Sequence, residues 1–203
     1  MSILVTGGTG FIGAELVRQL VERGEKPVVF RSSTAKKLLE DIEDRLTLVQ
    51  GSIANFSHVL NTVKSYNVST IYHLGSMLSM LAEEDPWAAF EVNLRGTFNI
   101  LEAARLYEVK QFIFSSSRGT YGLDLKDSTV DDYSLQRPDM FYGCTKLFGE
   151  LAGRFYRRKF GLDFRGVRLP SVIGPGVKTP GVVQWTSWVI EHAYRGKPFN
   201  IWT

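Results

Sequence analysis

The chain has 203 residues, of which 44% are hydrophobic and 22% charged, with a formal net charge of +3. These values are typical of one globular domain with a small appendage and exclude a disordered chain. A single cysteine and three scattered histidines give no disulfide framework and no metal-ligand spacing. Since we see neither a signal peptide nor an apolar run of the roughly 18 residues that a membrane span needs, we expect a soluble, cytoplasmic protein.

Short apolar segments alternate with segments of helical periodicity along most of the chain. Strands are predicted at Ser2–Thr6, Pro27–Phe30, Leu46–Gln50, Thr70–Leu74, Gln111–Ser115 and Asp163–Arg168. Helices are predicted at Phe11–Arg23, Phe56–Tyr66, Pro86–Tyr107 and Phe141–Phe160. Almost wholly apolar strands in repeated βα units indicate an α/β fold with a Rossmann-like, doubly wound parallel sheet covered by helices on both faces.

The pattern changes after Gly174, where glycine and proline interrupt it. A helix over Val182–Tyr194 and the start of a strand over Pro198–Thr203 are predicted there. We therefore expect one sheet domain over residues 1–175. Residues 176–203 are expected to begin a smaller, truncated lobe that binds substrate.

A basic cluster lies in the last long helix of the sheet domain, with Glu150 nearby. Because the cluster is short and mixed with acid, we interpret it as a solvated helix face and expect no nucleic-acid partner. Its members are Arg154, Arg157, Arg158 and Lys159.

A glycine-rich turn, Thr6–Gly13, follows the first strand directly, and the first helix begins inside it. Gly7 is expected to allow the tight turn, Gly10 to let the backbone approach a pyrophosphate, and Gly13 to let helix and strand pack closely. The free N–H groups at the helix start favour an anion. In this context the turn predicts a dinucleotide site over residues 1–175. The expected contacts are Gly7, Gly10, Phe11, Ile12 and Gly13.

The sequence TGGTGFIG and its glycine spacing resemble the opening motif of the extended short-chain dehydrogenase/reductase family, also called the NAD-dependent epimerase/dehydratase family. The segment Asn93–Ala104 is similar as well, and the resemblance covers nearly all of residues 2–175. It implies a cofactor, NAD or NADP, and a homodimer paired through the helices at Pro86–Tyr107 and Phe141–Phe160. It also implies that Asn93 stabilises the active-site backbone or a water.

The end of the second strand bears on the choice of cofactor. NAD enzymes of this type carry an acid there for the ribose 2′-hydroxyl, whereas this chain has Arg31 followed by Ser32. Because a guanidinium pairs with a 2′-phosphate, we favour NADP; the alternative is that Arg31 stacks on the adenine of NAD. Ser52 replaces the aspartate that relatives place near the adenine. The other residues expected along the cofactor are Ile53, Leu74, Gly75, Ser76, Asn93, Tyr142, Lys146 and Val172.

Tyr142 and Lys146 form a Tyr-x-x-x-Lys motif at the start of a predicted helix, so both lie on one face. A neighbouring ammonium lowers the pKa of a phenol, which lets Tyr142 act as general acid or base, and Lys146 can also hold the nicotinamide ribose. The resemblance assigns the substrate-orienting serine to Ser117. Ser116 is interpreted as structural, and Tyr121, with no lysine four residues on, as part of the pocket wall.

These residues predict an NAD(P)-dependent oxidoreductase or epimerase that moves a hydride between a substrate carbinol carbon and nicotinamide. The substrate would be a small hydroxy or carbonyl compound; the segment Arg137–Gly143 resembles the L-threonine dehydrogenase branch, and Pro170-Ser171 resembles carbonyl reductases. One alternative is a nucleotide-sugar epimerase or dehydratase with recycled NAD, although that branch carries asparagine at Ser171. Another is a non-catalytic NADP-binding sensor. Trp185 and Trp188 indicate either a bulkier or more hydrophobic pocket or, equally, burial against the rest of the second lobe.

Overall fold

A computed structural model describes residues 2–32, 37–125, 129–175, 177 and 184–200. The strands in these ranges form one parallel sheet in the order β3-β2-β1-β4-β5-β6. This confirms the predicted doubly wound topology, with small shifts at the strand ends. The strands are β1 Ser2–Thr6, β2 Val28–Arg31, β3 Thr47–Gln50, β4 Val68–His73, β5 Gln111–Ser117 and β6 Asp163–Leu169.

Helices connect the strands. The α-helices are α1 Phe11–Glu22, α2 Phe56–Ser65, α3 Ser79–Glu84, α4 Pro86–Ala89, α5 Gly96–Leu106, α6 Phe141–Phe160 and α7 Gln184–Tyr194. Two 3₁₀ helices, Lys37–Arg45 and Arg118–Thr120, and a π-helical segment, Phe90–Arg95, complete the described helical structure. Within the described ranges, no helix has both the length and the apolarity to cross a membrane.

Two predicted elements differ in detail from those observed. The single helix predicted at Pro86–Tyr107 consists of α4, the π-helical segment and α5, because the wider π turn interrupts regular α-helical winding. Strand β5 extends to Ser117, since it pairs with β6 as far as Leu169. Residues 182–183 and 201–203 of the predicted C-terminal elements lie outside the described residues, and residues 198–200 have no regular structure.

Apolar side chains cover both faces of the sheet. On one face, the fully buried Phe112 and Phe114 of β5 pack with residues of α2, α5 and α6. On the other face, Val5 and Val29 pack against α1 and the first 3₁₀ helix. Each such side chain stabilises the fold by about 1.5–3 kcal/mol. The two cores hold the strands rigid, so the residues that follow each strand have fixed positions.

Candidate active site

A cleft of about 1080 Å³ runs along the carboxyl ends of the strands. It lies where β1 and β4 are neighbours and their connections leave in opposite directions, which is where ligands bind in doubly wound sheets. All candidate site residues except Asn93 and Lys146 line it. Those that line it are Gly7, Gly10, Phe11, Ile12, Gly13, Arg31, Ser32, Ser52, Ile53, Leu74, Gly75, Ser76, Ser117, Tyr142 and Val172.

The glycine turn after β1 has the conformation that its sequence predicted. Gly7 has a φ of +70°, and a Cβ there would lie 2.7 Å from the backbone nitrogen of Gly75. A Cβ on Gly13 would lie 2.2 Å from the carbonyl oxygen of Gly7. Helix α1 starts after Gly10 with no side-chain cap and no acidic residue in its first turn. Its positive end is therefore electrostatically suited to a phosphate.

The opposite wall of this half of the cleft comes from the ends of β2 and β3. Arg31, half-buried, is the last residue of β2, and the exposed Ser32 follows it. Ser52 lies after β3, where its Oγ accepts a hydrogen bond of 3.2 Å from the Ala54 amide. A cation and two hydroxyls therefore border the region next to the glycine turn.

Tyr142 lies in the first turn of α6, at the other end of the cleft. Ser117, to which the resemblance assigned the substrate-orienting role, and Ser76 line the cleft with it. Burial holds the Tyr142 pKa above its usual range, and the two serine hydroxyls act in the opposite direction. Ser117 Oγ also accepts a hydrogen bond of 3.0 Å from the Gly119 amide.

Lys146 is buried one turn further along α6, behind the wall of the cleft. Its Nζ donates a hydrogen bond of 2.8 Å to the Ser115 carbonyl and lies 5.5 Å from the Tyr142 ring centroid. Burial lowers the Lys146 pKa to about 7. We expected this ammonium to lower the phenol pKa, whereas burial raises the Tyr142 pKa and the groups that oppose burial are the serine hydroxyls.

Asn93, in the π-helical segment, is buried behind the cleft rather than lining it. Its Oδ1 accepts a 2.7 Å hydrogen bond from the Met77 amide, and its Nδ2 donates to the Met77 carbonyl at 2.9 Å. The same Nδ2 donates to Thr145 Oγ1 at 3.2 Å. Asn93 thus bonds to the backbone of Met77, and its place behind the cleft differs from the one expected along the cofactor.

Two buried polar groups near the site were missed by the sequence reasoning. His73, at the end of β4, has Thr6 Oγ1 2.6 Å from Nδ1 and Thr97 Oγ1 3.0 Å from Nε2. Burial, with a smaller effect of the Lys146 charge, lowers the His73 pKa to about 3. The neutral imidazole ring of His73 therefore links β1 to α5. No local motif marks this contact, because its members are far apart in sequence.

The second missed group is an ion pair between α6 and β6. Arg168 Nε donates to both carboxylate oxygens of Glu150, and Arg168 Nη2 donates to one of them at 2.7 Å. Ser116 donates to Glu150 as well, and Arg168 Nη1 donates to the Tyr121 hydroxyl at 2.6 Å. Ser116 is thus structural and Tyr121 lines the cleft, as interpreted from the sequence. Glu150 follows Lys146 by one further turn, a spacing that could have indicated it.

The C-terminal tryptophans lie away from the cleft. Neither Trp185 nor Trp188 lines the cleft in the described part of the chain. Trp188 Nε1 instead donates a 3.1 Å hydrogen bond to the Val177 carbonyl. Ser171 and Val172, after β6, do lie on the cleft. The described residues hold no group of three or more His, Cys, Asp or Glu side chains placed to bind a metal.

The cleft fits a nicotinamide dinucleotide. The glycine turn and the start of α1 suit the pyrophosphate, and the Tyr142 phenol lies at the far end with a serine beside it. Between these two regions the cleft is lined by Gly75, which has no side chain.

Comparison with known proteins agrees with this geometry. A sequence model of the NAD-dependent epimerase/dehydratase family matches residues 3–203. A Staphylococcus epidermidis protein named as an uncharacterised epimerase/dehydratase is 34% identical over 184 residues, which are 88% of this chain and 56% of that protein. The chain thus spans about half the length of the curated relatives it matches.

Solved structures give the same result. The UDP-glucose 4-epimerase of Thermus thermophilus, in complex with NAD, matches with a TM-score of 0.88 at 29% identity, covering 98% of this chain and 64% of that one. The L-threonine dehydrogenase of Clostridium difficile matches with a TM-score of 0.87 at 30% identity, covering 95% and 60%. As its glycine turn and Tyr-x-x-x-Lys motif predicted, the chain belongs to the NAD-dependent epimerase/dehydratase family, a family of NAD-dependent enzymes.

Proposed function

We propose that this chain binds a nicotinamide dinucleotide in the cleft and oxidises or reduces a small hydroxy or carbonyl substrate. The observation that carries the proposal is the grouping of Tyr142, Ser117 and Lys146 at the end of a cleft that begins at the glycine turn. Tyr142 and Ser117 line the cleft, and the buried Lys146 Nζ lies 5.5 Å from the Tyr142 ring centroid. A non-catalytic sensor would have no need to keep these three side chains together.

Tyr142 is the general acid or base in this proposal. In oxidation, its phenolate oxygen takes the proton of the substrate hydroxyl, and the carbinol carbon becomes a carbonyl as it loses its hydride. When bound, the nicotinamide accepts or returns that hydride. Ser117 donates a hydrogen bond to the reacting substrate oxygen. The protonated form of Lys146 stabilises the Tyr142 phenolate.

Tyr142→Phe tests the proposal because it removes only the proton-transferring oxygen. We expect turnover to fall about 10²–10⁴-fold with the affinity for the dinucleotide nearly unchanged. Turnover is followed as absorbance of the reduced nicotinamide, with L-threonine, UDP-glucose and simple hydroxy acids as first substrates, and affinity by calorimetry. Tyr133→Phe is the matched control, since Tyr133 is 95% exposed. Unchanged turnover in Tyr142→Phe would refute the assignment.

We further propose that the cofactor is NADP rather than NAD. Arg31 and Ser32 support this, because both line the cleft after β2, where a 2′-phosphate would extend from the adenosine ribose. The Thermus thermophilus relative was solved with NAD, so calorimetric titration with NADP⁺ and NAD⁺ is decisive. We expect NADP⁺ to bind more tightly and Arg31→Asp to reverse the order. If Arg31→Asp kept the wild-type preference between NADP⁺ and NAD⁺, Arg31 would only border the adenine.

A nucleotide-sugar epimerase is the second candidate. The Thermotoga maritima UDP-glucose 4-epimerase, solved with UDP-glucose, matches this chain with a TM-score of 0.88 at 27% identity. An epimerase returns the hydride to its substrate, so reduced cofactor does not accumulate, whereas a dehydrogenase releases it. We propose that residues 176–203 begin the substrate lobe in either case, consistent with a relative of which the match covers 56%.

A further inference from the structure

Tyr142 has two hydroxyl neighbours, although the sequence pattern pointed to one. Ser117 follows from the family resemblance, whereas Ser76 was expected only as part of the cofactor wall. The hydroxyls of both serines lower the Tyr142 pKa, against the effect of burial. Both also line the same cleft as the phenol. Ser76 therefore lies where a proton would be exchanged, in addition to lying beside the cofactor.

The residues on either side of Ser76 are fixed in place. Before it, the Gly75 amide donates a 3.1 Å hydrogen bond to Thr6 Oγ1. After it, both backbone groups of Met77 bond to the buried side chain of Asn93, at 2.7 and 2.9 Å. The backbone at Ser76 is thus held by side chains other than its own, which leaves its hydroxyl available for Tyr142.

The same asparagine also fixes the helix that carries Tyr142. Asn93 Nδ2 donates to Thr145 Oγ1, which in turn donates to the Tyr142 carbonyl at 2.7 Å. One buried amide therefore joins the turn after β4 to the first turn of α6. Because both partners are anchored to Asn93, the distance between Ser76 and Tyr142 is set by the fold.

Hydroxyl donors matter at this phenol because Lys146, which acts on the phenolate through its charge, directs its hydrogen bond to another oxygen. Lys146 Nζ donates to the Ser115 carbonyl, and it lies 5.5 Å from the Tyr142 ring centroid. Desolvation disfavours the phenolate at a buried site, and hydrogen bonds to the charged form oppose that effect. Each hydroxyl that donates to the oxygen thus makes the phenolate easier to form.

We propose that Ser76 is a second hydroxyl donor to the Tyr142 oxygen. Because Ser117 has one proton and donates it to the reacting substrate oxygen, Ser76 is the serine that stabilises the phenolate that accepts the substrate proton. The inference rests on the proposed function of Tyr142 and adds a residue to it. Ser76 keeps its own proton throughout and donates only a hydrogen bond. The substrate proton ends on the Tyr142 oxygen.

The test titrates the phenol itself and needs no substrate. Tyrosine is replaced throughout by 3-fluorotyrosine, whose more acidic phenol ionises while the fold is intact, and ¹⁹F spectra are recorded against pH with circular dichroism as a check. The Tyr142 resonance is assigned by its loss in Tyr142→Phe. In Ser76→Ala we expect its midpoint to rise by about one pH unit, the effect of losing one hydrogen bond to an ionised group.

Two variants separate this role from a structural one. Ser76→Thr keeps the hydroxyl and should restore the midpoint to within a few tenths of a pH unit. Ser69→Ala removes a hydroxyl from the other end of β4, where it bonds to the Ser2 carbonyl at 3.3 Å, and should leave the midpoint unchanged. An unchanged midpoint in Ser76→Ala, or equal shifts in Ser76→Ala and Ser76→Thr, would overturn the inference. Refutation of the proposed function itself would appear in a separate measurement, as full turnover in Tyr142→Phe.

Discussion

At the scale of single residues, the site keeps two ionisable side chains in surroundings that favour their neutral forms. Lys146 is 3% exposed, and burial lowers its pKa to about 7. His73 is buried beside it, with its pKa lowered to about 3. A group that is easier to deprotonate in the folded state opposes folding wherever it would otherwise be charged. Such a cost at a functional site is common, because catalysis needs the group and stability does not.

Lys146→Met should therefore stabilise the fold while it abolishes turnover. The unfolded lysine has a pKa of about 10.4, so between pH 7 and 10.4 the unfolded state binds more protons, and wild-type stability rises with pH across that window. The increase in the free energy of unfolding that Lys146→Met causes is thus largest at pH 7 and below, at about 2 kcal/mol. It becomes smaller towards pH 10. Urea unfolding at pH 6 and pH 9.5 measures it.

Lys159→Met serves as the matched control, since Lys159 is exposed on the same helix. We expect no more than a few tenths of a kcal/mol from it at either pH. If Lys146→Met changed the free energy of unfolding equally at pH 6 and pH 9.5, the burial of the charge would not be the cause.

At the scale of elements, an ion pair joins α6 to β6 under the cleft. Glu150 and Arg168 have side chains that are 11% and 20% exposed, and Ser116 and Gln136 bond to the same carboxylate. Burial alone would raise the Glu150 pKa, but the bonds to Arg168, Ser116 and Gln136 hold it below its usual value. This pair connects β6 of the sheet to α6, the helix that carries Tyr142.

Arg168→Met should cost about 3 kcal/mol at pH 7, because it leaves a mostly buried carboxylate without its cation. Glu150→Met with Arg168→Met should cost less than the two single changes together. Since the folded pKa of Glu150 is depressed, its contribution is full above the unfolded value of about 4.3 and is lost as pH falls through the folded pKa. The coupling energy from urea unfolding should therefore decrease between pH 7 and pH 3.

The exposed pair Arg165–Asp163 on the same strand is the comparison for this cycle. Arg165→Met should lower the free energy of unfolding much less than Arg168→Met does, because exposed ion pairs contribute little. A coupling energy for Glu150 and Arg168 as small as that of the exposed pair would mean that the buried pair does not hold α6.

Elements whose signals are local could be predicted from the sequence. The strands, the turn at Thr6–Gly13 and the motif of Tyr142 and Lys146 each depend on neighbouring residues, and each was predicted. The π-helical segment Phe90–Arg95 and the 3₁₀ helix Lys37–Arg45 were not, because apolar spacing does not distinguish helix types. The contacts of Ser76, Asn93 and His73 join distant segments, so only the packed sheet brings them together.

At the scale of the whole molecule, α5 and α6 leave a shared apolar face exposed. Leu151 and Phe155, one turn apart on α6, are 55% and 46% exposed. Phe98 of α5 adjoins them through Tyr156, with ring centroids 6.1 Å apart. We propose that this face pairs with a second copy of the chain, as the family resemblance implied. Burial of side chains this large would give such a dimer a hydrophobic centre.

A double substitution, Leu151→Glu with Phe155→Glu, should therefore convert a dimer into a monomer in light scattering after gel filtration. Four like charges at a two-fold contact oppose association strongly, whereas both side chains are already partly in water in the monomer. Ile190→Glu, at an exposed apolar position on α7, should leave the dimer intact. Because this one chain supplies the described lining of the cleft, the monomeric variant should keep its affinity for the dinucleotide. A monomeric wild type would contradict the proposed pairing, and loss of cofactor affinity with the dimer would show that the pairing shapes the cleft.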